Sequence, residues 1–180
     1  MKRILLAGLT LTLALISCKD QEIEKHLNEI TKMETSVDNI EARMAAIPDD
    51  SNGIMVSTVR NDLLTIKKHY TGPDTTNIAL GSMLTKYKSV RKTIGKATKM
   101  KTKVEKALPE EREQLKNLQH DITEGVNNRE EYPLYVMKEK TNVAQLDTMS
   151  LLYERSITET RNIYYTLKPK VDSLISTLEF

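Results

Sequence analysis

The chain has 180 residues, with 27 Lys and Arg against 25 Asp and Glu and a formal net charge of +2. That near balance gives no electrostatic footprint for nucleic acid. One cysteine excludes both a disulfide framework and a multi-thiolate metal site, while six glycines, no tryptophan and 29 % charged residues describe a helical composition.

In chain order, the first element is an N-terminal segment of leader type. Lys2 and Arg3 precede an apolar run from Ile4 to Ile16, interrupted only by Gly8, Thr10 and Thr12. The run is too short to cross about 30 Å of hydrocarbon as a helix, but it suits the hydrophobic stretch of a secretory signal. It closes on Leu15-Ile16-Ser17-Cys18. These four residues resemble the lipobox of bacterial lipoproteins: an aliphatic residue, a tolerant position, a small residue and the cysteine. The resemblance implies lipidation of the Cys18 sulfur, cleavage after Ser17 and acylation of the new amino terminus. Several acyl chains on one residue make a stable membrane anchor where one chain binds only marginally. The implied organisation is a signal peptide over 1–17, a short anchor linker over 18–22 and a helical domain over 23–180. Lys19 stands where an aspartate would signal retention at the inner membrane, so the resemblance favours the outer membrane. The cluster Lys19-Asp20-Gln21-Glu22 also looks a little like signals that carry some lipoproteins to the cell surface. Loss of Lys2 and Arg3 with the leader leaves basic and acidic residues level.

The remaining chain reads as heptads. Ile23, His26, Ile30, Met33, Val37, Ile40, Met44 and Ile47 recur in steps of three and four, the pattern of a coiled-coil-like helix. Pro48 and the run Asp49-Asp50-Ser51-Asn52-Gly53 predict a turn. A second helix carries Val56, Val59, Leu63, Ile66 and Tyr70 on its seam and closes at Gly72-Pro73. A third starts at Asp74 as N-cap and carries Met83, Tyr87, Val90, Ile94, Ala97, Val104 and Leu108, with Lys101 interrupting. Pro109-Glu110-Glu111 predicts a fresh helix start, followed by Leu115, Leu118, Ile122 and Val126 and an end at Asn127-Asn128. The last helix begins near Pro133, with Val143, Leu146, Ser150, Tyr153, Ile157, Thr160, Tyr164, Leu167, Val171, Leu174 and Leu178 on its seam. Pro169 inside it predicts a kink at about 3 kcal/mol. The expected fold is all-α, an elongated antiparallel bundle with left-handed, coiled-coil-like seams crossing at about 20°.

Candidate sites are few. There is no phosphate loop, nucleophile elbow or dinucleotide fingerprint. Glu22 with His26, and His120 with Glu124, lie four apart and could share a metal ion, although a surface or edge-of-core histidine is the simpler reading. Tyr70, Tyr87, Tyr153 and Tyr164 pack on seams, and Met33, Met44 and Met83 fill them. Tyr132 and Tyr135 lie in a connection and are expected as exposed aromatics for a protein contact. Between Lys86 and Lys106 the chain holds nine basic residues against Glu105 alone. Within this stretch, Lys92, Lys99 and Lys106 fall at the outermost heptad position with Lys96 and Lys103 beside them, a stripe about 20 Å long that Lys88 precedes. The stripe could meet an anionic ligand or an acidic partner, or be a solvated face neutralised by neighbouring helices. The function expected from these features is non-enzymatic and without cofactor or metal: a lipid-anchored envelope protein docking a protein partner, in an envelope or secretion complex. The alternative is a binding module for a lipid headgroup or cell-wall polymer through residues 86–106.

Overall fold

The computed structural model describes the backbone of residues 2–48, 50–72 and 78–178, and the side chains of 21–48, 51–72 and 78–178. The side chain of Cys18 and the whole of Asp74 and Pro73 lie outside these. The protein is all-α, built of helices packed on one another. Helix α1 spans Lys2–Ala45, α2 Asp50–His69, α3 Ile78–Glu124 and α4 Tyr132–Ser176, with a single 3-10 turn over Arg129–Glu131 before α4. Among the described residues there is no strand.

The chain divides into two compact units: Met1–Glu41 with Lys106–Asp147, and Ala42–Glu105 with Thr148–Phe180. In the first unit α1 and the later part of α3 meet the start of α4. Glu29 of α1 pairs with Lys140 of α4, and Asp38 and Glu41 of α1 pair with Arg112 of α3. Ile30, Met33, Val37 and Ile40 of α1 are buried, as are Leu108, Leu115, Leu118 and Ile122 of α3 and Val136, Val143 and Leu146 of α4. Each such side chain removed from water contributes roughly 1.5–3 kcal/mol. Serine and threonine hydroxyls within the helices, such as Thr31, Thr35 and Thr123, donate to the carbonyl four residues back and so leave no orphaned donor.

The turn from α3 to α4 is stitched through Asp121. Gly125 takes a left-handed backbone at φ +67, and the Val126 amide donates to the Asp121 carbonyl at 2.9 Å. This is a Schellman close, which glycine reaches without a side-chain clash. A Cβ at Gly125 would also sit 2.7 Å from the Arg129 guanidinium. Asn127 donates from Nδ2 to the Asp121 carboxylate, and the Asn128 side chain caps the 3-10 turn by accepting from the Glu130 amide.

In the second unit α2, the first part of α3 and the later part of α4 share a seam, with the end of α1 beside them. Met55, Val59 and Ile66 of α2, Tyr87, Val90, Ile94, Ala97 and Val104 of α3, and Tyr153, Ile157, Tyr164, Leu167 and Val171 of α4 are buried. The rings of Tyr87 and Tyr164 stack at 6.1 Å between centroids.

Four expectations change. Residues 51–53 are helical, not a turn, because Asn52 is buried and its side-chain oxygen accepts from Arg161 Nη2 at 3.2 Å. That contact, with a second from Arg161 to the Pro48 carbonyl, outweighs the poor helix propensity of Asn and Gly. The α2 seam is rotated toward Asn52 and Met55, while Val56, Asp62 and Leu63 are each half-buried. Pro109 starts no new helix but lies inside α3, as Pro169 lies inside α4. Proline removes one amide donor, and the buried residues on both sides of Pro109 hold the helix through that loss. Val126 follows the helix end and is exposed.

Candidate functional site

The basic stripe is a solvent-facing surface. Lys88, Lys92, Lys96, Lys99, Lys103 and Lys106 are all exposed, and among the described residues none makes an ion pair. Tyr87, Val90, Ile94, Ala97 and Val104 form the opposite face of α3 and fix its rotation, so the six ammonium groups follow from the 3.6-residue turn. Lys101, the seam interruption, is different: its stem is largely buried and its ammonium lies 3.5 Å from Glu105.

The two connection tyrosines separate. Tyr132 was expected at the surface and is instead 2 % exposed. Its hydroxyl reaches the carbonyls of Asp121 and Val126, which share its one proton, so it locks the α3–α4 turn from inside. Tyr135 is half-exposed and its hydroxyl donates to the Glu131 carboxylate, which raises the phenol above its ordinary range.

Next to this turn, in the first unit, a cleft of about 570 Å³ is lined by Glu22, Ile23 and His26 of α1 and by Arg129, Glu130 and Tyr132. Glu22 and His26 therefore share a cavity wall. His120 and Glu124 are both exposed on α3. Among the described residues no three His, Cys, Asp or Glu side chains stand together as a metal cluster, and no helix is long and apolar enough to cross a membrane.

A polar layer that sequence patterning does not reveal runs through the second unit. Asp62, at a seam position of α2, accepts from the Tyr87 hydroxyl at 2.6 Å and lies 3.5 Å from the Lys168 ammonium. Lys168 also donates to Asp172. Burial, and then the neighbouring Asp62 carboxylate, push the Tyr87 phenol far up. Arg43 at the end of α1 reaches Ser150 and Glu154 of α4. In the first unit Glu29 is held down to about 2 by hydrogen bonds from Lys140 and then Lys32, each at 2.7 Å. Asp62 and Arg43 join helices through their partners, and Glu29 lines an open cleft of about 380 Å³ with Lys32, Lys140 and Asp147. No family model, curated protein or solved structure matches the chain.

Proposed function

We propose that the chain is a lipid-anchored, non-enzymatic subunit of the bacterial cell envelope, held at the outer membrane and docking a protein partner there, as in an envelope or secretion complex. The observation that carries this reading is Leu15-Ile16-Ser17-Cys18 closing an apolar run behind Lys2 and Arg3. Docking is supported by large apolar side chains left in solvent on α4: Leu134 and Met137 in the first unit, and Leu151, Leu152 and Tyr165 in the second. Half-exposed Tyr135 follows Leu134 in sequence. Replacing Cys18 by Ala is expected to move the protein from the membrane to the soluble fraction of fractionated cells. Full membrane retention of Cys18→Ala would overturn the anchor. Photo-crosslinking from Met137 is expected to give one discrete adduct in intact cells, and a smear equal to that from exposed Lys116 would count against docking.

The exposed, unpaired lysines of α3 favour a second reading, an anionic ligand such as a lipid headgroup or cell-wall polymer. Each basic residue close to an anionic surface contributes about 1 kcal/mol. Reversal of Lys92, Lys99 and Lys106 to Glu is expected to abolish cosedimentation with phosphatidylglycerol vesicles or peptidoglycan while helicity stays unchanged. Equal cosedimentation by the reversed protein would remove this reading.

A further inference from the structure

In the first unit the seam between α3 and α4 contains two acids. Glu111 occupies the step between Leu108 and Leu115, and Glu139 the step between Val136 and Val143. They are 6 % and 8 % exposed, among residues that are otherwise apolar. Glu111 Oε1 is buried with no hydrogen-bond partner. Glu139 differs, because its Oε2 accepts from Asn142 Nδ2 at 2.8 Å. The surrounding charges do not neutralise the pair. Among the described residues, Lys138 of α4 is the cation that acts on Glu111. Arg112, next to Glu111 in α3, is turned to Asp38 and Glu41 of α1, each at 2.8 Å and exposed. Lys140, next to Glu139 in α4, is taken by Glu29 of α1.

Two carboxylates facing one another in a low-dielectric seam cannot both stay ionised, since each loses its hydration and repels the other. A neutral carboxyl at Glu111 removes the repulsion and supplies an O–H for Glu139 to accept. We propose that Glu111 and Glu139 together form a buried one-proton site, with the proton on Glu111 donated toward Glu139, so that the α3–α4 seam is tight when protonated and loosens when that proton leaves to solvent. The proton belongs on Glu111 because Glu139 already has a donor in Asn142 and Glu111 has none. Burial first, and the Glu139 charge second, push Glu111 up to about 7. The folded chain therefore holds this proton more tightly than the unfolded chain, whose glutamate titrates near 4.5. Between those values stability falls as pH rises, and above about 7 it is level.

The test is thermal unfolding of the full-length protein in detergent, followed by circular dichroism from pH 5 to pH 8.5, for the native chain and for Glu111→Gln. The amide stays neutral and keeps a donor for Glu139. The native midpoint is expected to fall relative to the variant by roughly 5 °C across this range, and histidine titrations cancel in the difference. Glu111→Leu matches its seam neighbours, so it serves if the amide misfolds, and the same divergence from the native chain is expected. Parallel curves for the native chain and the variants would overturn the proposal. So would a calcium or magnesium titration at pH 8 that raises the native midpoint, but not that of Glu111→Gln, by more than acidification does, because the pair would then hold a cation.

Discussion

The two units answer one problem in opposite ways. Each places a carboxylate at a helix seam where a leucine would pack. In the second unit Asp62 is met by the Tyr87 hydroxyl and the Lys168 ammonium. In the first, Glu111 is met by a second acid and leaves one oxygen without any donor. A half-buried acid with opposite partners fixes the rotation of its helix, whereas a buried acid facing an acid makes packing depend on a proton. The same substitution, seam acid to apolar residue, therefore has opposite signs in the two units.

The largest effect belongs to the satisfied acid. Asp62→Ala leaves the Tyr87 hydroxyl without its acceptor inside the seam and is expected to destabilise by about 2–3 kcal/mol in urea unfolding. A cost below 0.5 kcal/mol, on the order of a surface change, would erase the distinction between the units. Glu111→Leu is expected to do the reverse, stabilising by about 1–2 kcal/mol at pH 8, where an unpaired charge is replaced by a packing side chain. Measured at pH 5 the gain is expected to shrink, because protonated Glu111 no longer repels Glu139. The smallest effect probes the first unit without touching either acid. Gly125→Ala forces an L residue into the left-handed region beside the Arg129 guanidinium, at about 1 kcal/mol. Its cost is expected to be the same at both pH values, which separates loss of the turn from loss of the proton.

The fold was legible where apolar residues alone make the seam. Ile30, Met33, Val37, Ile40 and Met44 of α1, and the α4 series from Val143 to Val171 with Ser150 and Thr160 in it, are buried as their spacing requires. Patterning failed where a polar residue holds the seam. Val56 and Leu63 are better seam candidates than Asn52 and Asp62 until Arg161, Tyr87 and Lys168 are known to stand opposite. Those partners are 109, 25 and about 106 residues away in sequence, beyond any local period. Pro109 misled for a related reason: the stepping Leu108, Glu111, Leu115 continues through it, but Glu111 looks like a first-turn acid rather than a core residue. Among the candidate sites, outward lysines were readable because one face of a helix fixes the other. Tyr132 was not, since its partners are backbone carbonyls created only when Gly125 turns the chain.

The pairing of α1 has a consequence for the order of assembly. Glu29 finds Lys140 111 residues further on, and Arg43 finds Ser150 107 residues further on. Since α1 precedes α4 by about a hundred residues in the chain, Ile30, Met33, Val37 and Ile40 of α1 are fully covered only once α4 is present. The α3–α4 hairpin, closed through Asp121, needs no such delay and is ready as a template when α1 docks.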